Sequence, residues 1–359
     1  MKTNILDYVD WRGDLSFKRS KFNEVDNIIF SMLIYMDFKQ TMLDAKSTYP
    51  TLSDGVDTFF KQYNYKTYKF GAIIPNEIKD LALKMKNSKR YGHILLLDYV
   101  KEVDVEQRSQ FCAGAFLLDD NTIVIAFEGT DDSLVGWYED ALLAIEDVVL
   151  AQKKAVDFVN KIGMMFPNKK INLCGHSKGG NLAFYSAMFV NSDIKERIIN
   201  TYNSDGPGLI YSRYKEEDYK IIDEKGISVL PNSAIVGSLF EIRGEIRIVQ
   251  SNARNIFQHD PFTLIVLGNQ FLKVDKFTKS ALNIQKDIQK YMLGTNQEDI
   301  LSCINDIYTS LYNDHKYTLL DLKFIDYNIV HRLVKLVKYD KNVIKNFVSI
   351  LINNNAFIK

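Results

Sequence analysis

The sequence predicts an α/β fold in which a mostly parallel central sheet is flanked by helices, with helical additions at both ends. Three observations carry that prediction. Between about residues 91 and 270, short apolar runs alternate with helical patterns, the order that builds strand–helix–strand units. On either side of that stretch the apolar residues recur at helical spacing instead. The 359 residues are 46% hydrophobic and 25% charged, a globular composition in a chain long enough to bury a core without disulfides.

Taken in order, residues 1–90 read as helical and polar-rich. Within 26–38, Ile29, Leu33 and Met36 fall on one helix face, and Pro75 stands just before a short helix at 76–85. The texture changes near Tyr91. Residues 111–118 (FCAGAFLL) and 122–127 (TIVIAF), joined by Asp119-Asp120-Asn121, predict a β-hairpin. A helix follows at 151–165, ended near Pro167, then a strand at 171–174 and a helix at 181–190. Residues 198–202, 227–230 and 245–250 are further strands, and helical spacing returns from about 275. Residues 331–351 place Lys335, Lys338 and Lys345 on one face and Val334, Val337, Ile344, Phe347 and Leu351 on another. That pattern fits a surface helix packed on the domain, or a basic amphipathic helix in peripheral contact with an anionic membrane. The expected division is a helical segment at 1–90, an α/β core at 91–270 and a second helical segment at 271–359.

Charge and cysteine usage narrow the function classes. Lys plus Arg and Asp plus Glu are 45 each, so the net charge is zero and the basic excess of nucleic-acid binders is missing. Cys112, Cys174 and Cys303 form no CxxC and, with His93 and His176, no metal-ligand spacing. No GxGxxG or Walker A run is present, so neither a cofactor nor a metal is expected. The start, MKTNILDYVDWRGD, carries charges where a signal peptide has its apolar stretch, and the apolar run at 28–36 is far short of the ~20 residues of a membrane span. A cytoplasmic protein without a transmembrane segment is the expectation.

One stretch carries chemistry. KKINLCGHSKGGNLAFYSAMFV (169–190) holds Gly175-x-Ser177-x-Gly179 between a strand and a helix. A serine hydroxyl is a poor nucleophile unless it is exposed and next to a base. A tight strand-to-helix turn gives the exposure, small flanking residues relieve the crowding, and the helix N-terminus aims free N–H groups at a developing oxyanion. IVIAFEGTDD (123–132) is a strand ending in a turn at Gly129-Thr130, where a second oxyanion donor would stand.

GHSKGGNLA, FEGT and Trp137-x-x-Asp140 together resemble the class 3 lipases, which show G-H-S-x-G-G, F-R-G-[ST] and W-x-x-D and have the α/β-hydrolase fold. GTDDSLVGWYED, NSDGPG, PNSAIVG and QHDPF look more specifically like the lipase-like Mbeg1-like branch, over roughly residues 1–270. The resemblance implies Ser177 as nucleophile, the N–H groups of Thr130 and Lys178 as the oxyanion hole, and His259 as the base. In that fold the order is serine, acid, histidine, which leaves His93 and His176 out; His176 reads as a packing residue of the turn, and His315 and His331 belong to the helical tail. Two positions depart from the lipases. Glu128 stands where they have Arg, and Ser228-Val229-Leu230-Pro231 stands where their acid begins a D-x-V-P run. Asp205, at the end of the preceding strand, is the best substitute. Asp260 is the rival, although neighbouring side chains on an extended segment point apart. Residues 131–149 are either a lid over an acyl pocket or a packed amphipathic helix. The expected function is hydrolysis of a carboxylic, lipid-like ester through an acyl-enzyme, the alternative being a weak or inactive lipase-like protein that binds an acyl ligand or a protein partner.

Overall fold

The computed structural model describes residues 3–45, 49–294, 297–313, 315 and 317–321; the amphipathic pattern at 331–351 lies outside them. Seven strands form one sheet whose spatial order is their chain order: β1 Leu95–Asp104, β2 Ser109–Leu117, β3 Ile123–Phe127, β4 Ile171–His176, β5 Ile198–Ser204, β6 Gly226–Pro231 and β7 Glu245–Val249. β1 to β3 run antiparallel as a meander, and β3 to β7 run parallel. The β2–β3 turn forms where expected. Asn121 takes a left-handed φ of 73°, and the Asp120 carboxylate accepts from the Thr122 amide at 3.1 Å. β4 is buried along its whole length, as befits a central parallel strand.

The connections of the parallel part explain the layers. α6 (Leu134–Leu142) and α7 (Leu150–Met165) lie between β3 and β4. α8 (Lys178–Phe189) and α9 (Ser192–Arg197) follow β4, and α10 (Glu216–Lys225) follows β5. Each step moves one strand in the same direction, and crossovers are right-handed, so the crossover helices collect on one face. Ile123, Ile125, Phe127, Ile171 and Leu173 point into that layer and meet Ala155, Val159, Leu182 and Ile222.

The alternate residues, Cys112, Phe116, Val124, Ala126, Cys174, Tyr202 and Val229, point the other way. That face is covered by the amino-terminal helices α1 (Ile5–Arg12), α2 (Glu24–Leu33), α3 (Lys39–Asp44), α4 (Leu52–Gln62) and α5 (Ile78–Asn87). All ten residues of α2 are buried. Asn23 caps α2 in a box with Asp26, and Asp26 also takes the fully buried Arg90 at 2.8 and 2.6 Å and the Tyr91 hydroxyl at 2.6 Å. Arg90 donates onward to the carbonyls of Leu15 and Ser20, so this buried pair is fully hydrogen-bonded and locks the helical layer. The helix expected at 26–38 therefore starts two residues earlier, and it ends at Leu33, where the chain turns through Ile34–Met36.

After β7 come a two-residue hairpin, β8 Val266–Leu267 and β9 Gln270–Phe271, and the helices α11 (Lys279–Gly294) and α12 (Gln297–Asn313). α12 packs on α6: the rings of Tyr138 and Tyr308 stand 4.8 Å apart, and Arg108 bonds Asn305 at 2.6 Å. β1 is a strand that the apolar pattern did not predict. It is an edge strand whose second half leaves Glu102 and Val103 exposed.

Candidate active site

Ser177 stands between β4 and α8 with φ 56° and ψ −133°, a strained conformation for a residue with a side chain. The surroundings over-determine it. Its N–H donates to the Ser204 carbonyl at 3.0 Å. A Cβ on Gly175 would lie 2.1 Å from the Gly179 backbone, and one on Gly179 would lie 2.3 Å from the Phe127 carbonyl oxygen. Both positions need glycine because three chain segments cross there.

The structure brings Ser177, His259 and Asp205 together. His259 ends a short 3₁₀ turn, Asn255–His259, rather than sitting in an open loop. Its Nε2 is 3.1 Å from Ser177 Oγ and its Nδ1 is 2.7 Å from Asp205 Oδ2. A carboxylate accepts, so Nδ1 carries the proton and the Nε2 lone pair faces the serine hydroxyl. Asp205 is 4% exposed and has a left-handed φ of 46°. Burial raises its pKa, while the bonds from His259 and from the Gly237 N–H at 3.1 Å oppose that rise.

Asp260 is turned to a different task. Its carboxylate accepts from the Phe262 N–H at 3.0 Å and caps the turn Pro261–Thr263; burial pushes its pKa up to about 6. Ser228 donates to the Arg243 carbonyl at 2.9 Å. His176, expected as a packing residue, is buried and stacks on His259 with ring centroids 4.5 Å apart. Its Nε2 donates to the His259 carbonyl at 2.8 Å, so it also fixes the turn that carries His259. Burial holds the His176 pKa well below the ordinary value and keeps the ring neutral.

Thr130 follows β3, and Lys178 opens α8. Among the described residues no acceptor takes either backbone N–H. The Thr130 hydroxyl donates to the Asp140 carboxylate of α6, whose pKa burial raises to about 6. The Lys178 side chain, 1% exposed, runs back under the sheet edge. It bonds the Gln110 carbonyl at 2.9 Å, the Gln110 side-chain oxygen, and Glu139 at 3.2 Å. Glu139 also accepts from Ser109 Oγ at 2.8 Å and from the N–H groups of Gln110 and Ala151 at 3.0 and 2.9 Å. Sequence reasoning missed this network; its one signal is a lysine inside an otherwise apolar or small-residue run. Glu128 is buried beside this network, bonded by Lys101 at 2.9 Å and by Gln110 at 3.1 Å, and burial raises its pKa to about 7.

Residues 131–149 contain the packed helix α6, with Leu134, Val135, Tyr138 and Leu142 buried and Trp137 39% exposed. A polar cavity of about 430 Å³ lies at the far ends of β5 to β7, beside Asn200, Gly226, Glu245 and Arg247, and is lined by none of Ser177, His259, Asp205, Thr130 and Lys178. No helix among the described residues is long and apolar enough to cross a membrane.

The mostly parallel sheet, its helical layers and the strained strand-to-helix turn are those of the α/β-hydrolase fold. Solved structures similar to this chain include a fungal lipase–inhibitor complex, at 14% identity over 63% of this chain and 80% of that one with a TM-score of 0.39. The Rhizomucor miehei lipase propeptide complex is similar at 15% identity over 63% and 68%, with a TM-score of 0.37. The lipase of Rhizopus microsporus var. chinensis is similar at 13% identity over 59% and 67%, with a TM-score of 0.34. Among curated proteins none matches the sequence. The Mbeg1-like family profile matches residues 85–309, more than half of the chain, and the chain belongs to the Mbeg1-like family.

Proposed function

We propose that the protein is a serine hydrolase that cleaves a carboxylic ester through an acyl-enzyme. The observation that carries this reading is the continuous hydrogen-bond chain from Asp205 through His259 to Ser177, on a strained turn beside two unpartnered N–H groups. His259 takes the Ser177 proton as Oγ attacks the ester carbonyl. Asp205 holds the imidazole tautomer and stabilises the imidazolium without itself taking the proton. The N–H groups of Thr130 and Lys178 bind the oxyanion. His259 then protonates the leaving alcohol and activates the water that hydrolyses the acyl-enzyme.

A lipid-like acyl group is the substrate class supported best. α6 is tied to the oxyanion turn through Asp140 and leaves the indole of Trp137 39% exposed. The test is labelling by a fluorophosphonate probe, which reacts with activated serines. Wild type should label at Ser177, and Ser177→Ala should lose both the label and hydrolysis of short p-nitrophenyl esters, by about 10⁴–10⁶ in rate. A wild-type protein that takes no label at Ser177 would instead be a lipase-like binding protein.

A further inference from the structure

We propose that the Tyr35 hydroxyl is a third hydrogen-bond donor to the oxyanion, supplied from the amino-terminal helical layer. The proposal rests on the reading of Ser177 as the nucleophile. Tyr35 lies just beyond α2, where the chain turns away after Leu33, and the turn carries its ring toward Gly129, the residue before Thr130. A Cβ on Gly129 would meet the Tyr35 hydroxyl oxygen at 2.4 Å and Ser177 Cβ at 3.2 Å. The phenol and the nucleophile thus border one small space, which a glycine leaves open. In the tetrahedral adduct the oxyanion is three bonds from Ser177 Cβ, so it forms beside that space.

The hydroxyl is otherwise unused. Two other buried tyrosines have partners, Tyr8 bonded by Asn23 at 2.9 Å and Tyr91 donating to Asp26 at 2.6 Å, whereas the Tyr308 hydroxyl has none among the described residues but is sealed from solvent. Tyr35 is 6% exposed, yet among the described residues its hydroxyl makes no hydrogen bond, and it is not among the sealed polar atoms. A buried phenol without a protein partner is uncommon, and one facing a reacting centre is available to a ligand. Burial, reinforced by Glu128, Asp140 and Asp131, raises the phenol's pKa well above its ordinary value, so at neutral pH it keeps the proton that it would donate. The group sits next to the Thr130 donor, where a fixed dipole acts on charge that appears only in the transition state.

The test is Tyr35→Phe, measured beside wild type and Ser177→Ala. Because the hydroxyl has no protein partner, its removal leaves nothing unsatisfied, and the variant should melt within about 2 °C of wild type. For p-nitrophenyl butyrate, kcat should fall about 10²-fold with KM within about twofold, the signature of an interaction made in the transition state alone. Fluorophosphonate labelling of Ser177 should slow in parallel, and a competing aryl boronic acid, which forms a tetrahedral adduct, should bind about 10²-fold more weakly. A wild type that labels at Ser177 beside a Tyr35→Phe variant of unchanged kcat overturns the Tyr35 proposal alone. A loss carried by KM, or a variant that does not fold, also overturns it, because the hydroxyl would then serve the ground state or the fold. A wild type that does not label at Ser177 removes both readings.

Discussion

Replacing Asp205 by asparagine tests the arrangement most sharply, because the two side chains have the same shape and differ only in one oxygen exchanged for an NH₂. The remaining oxygen would still accept from the Gly237 N–H, now at 3.1 Å, so the turn is preserved. The change falls on the other oxygen, 2.7 Å from His259 Nδ1. An amide NH₂ there donates, which drives the imidazole to the tautomer with a bare Nδ1 and a protonated Nε2. That proton then points at Ser177 Oγ across 3.1 Å, and the base is lost. Loss of the orienting carboxylate costs about 10³–10⁴ in kcat, or roughly 4–5.5 kcal/mol of transition-state stabilisation. Stability should not fall, since burial already raises the pKa of this carboxyl and the variant removes the charge. Asp260→Asn is the control. The amide oxygen still caps Phe262, so kcat should stay within about threefold of wild type. Both variants are assayed on p-nitrophenyl butyrate after their melting curves match wild type. A larger loss from Asp260→Asn than from Asp205→Asn would refute the assignment of the acid, and no loss from either, with Ser177→Ala dead, would reduce the site to a Ser–His dyad.

Thr130 should act through both backbone and side chain. Thr130→Ser keeps the bond to Asp140 and should hold kcat within about threefold, whereas Thr130→Val strands a buried carboxylate and should lose about tenfold in kcat and about 1–3 kcal/mol in urea unfolding; equal behaviour of the two would show the hydroxyl to be idle. Lys178→Met leaves Glu139 without its cation and should cost about 3 kcal/mol, much of it recovered by adding Glu139→Gln; strictly additive effects in the double-mutant cycle would deny the coupling. For Asp260 the folded-state pKa, about 6, is above the ordinary 3.8. The folded protein therefore binds this proton more tightly than the unfolded chain, and stability drains away as pH rises from about 4 to 6. Asp260→Asn should remove that slope, so its melting advantage over wild type should grow by about 1–2 kcal/mol between pH 4 and 7; parallel profiles would contradict the burial argument.

The parallel part of the fold was legible because its strands are short, buried apolar runs and its turns carry Gly, Asp or Asn; β4 to β7 begin within two residues of the predicted positions. The elbow was legible for a different reason. Its backbone strain and close crossings admit few residues, so the requirement is written locally as Gly175, Ser177 and Gly179. β1 was not legible, since an edge strand has neither a buried run nor a clean alternation. Asp205 was reached from sequence, yet its preference over Asp260 rested on strand direction; the distances to His259 come from the turn at Gly237 and the 3₁₀ turn at 255–259. Tyr35 and the Gln110–Glu139–Lys178 network were invisible because no local pattern marks them. Each depends on segments far apart in the chain meeting at one end of the sheet.

The covering of the sheet's second face by the first ninety residues sets a schedule for biosynthesis. α2 leaves the ribosome early, but what it docks against is made late. Asn27 bonds Ser204, 177 positions downstream, and Asn4 bonds the Phe262 carbonyl, 258 positions downstream. Glu24 waits for Arg247 and for the Phe271 amide. At about 5–20 residues per second, that wait is on the order of 10–50 s. Throughout it, an apolar helical layer has no sheet to cover, and contacts of such long sequence separation close slowly even once the strands exist. The nascent chain is therefore a natural client for holding chaperones. Synonymous codon changes that slow elongation between residues 90 and 260 should lower the soluble yield without altering the finished protein.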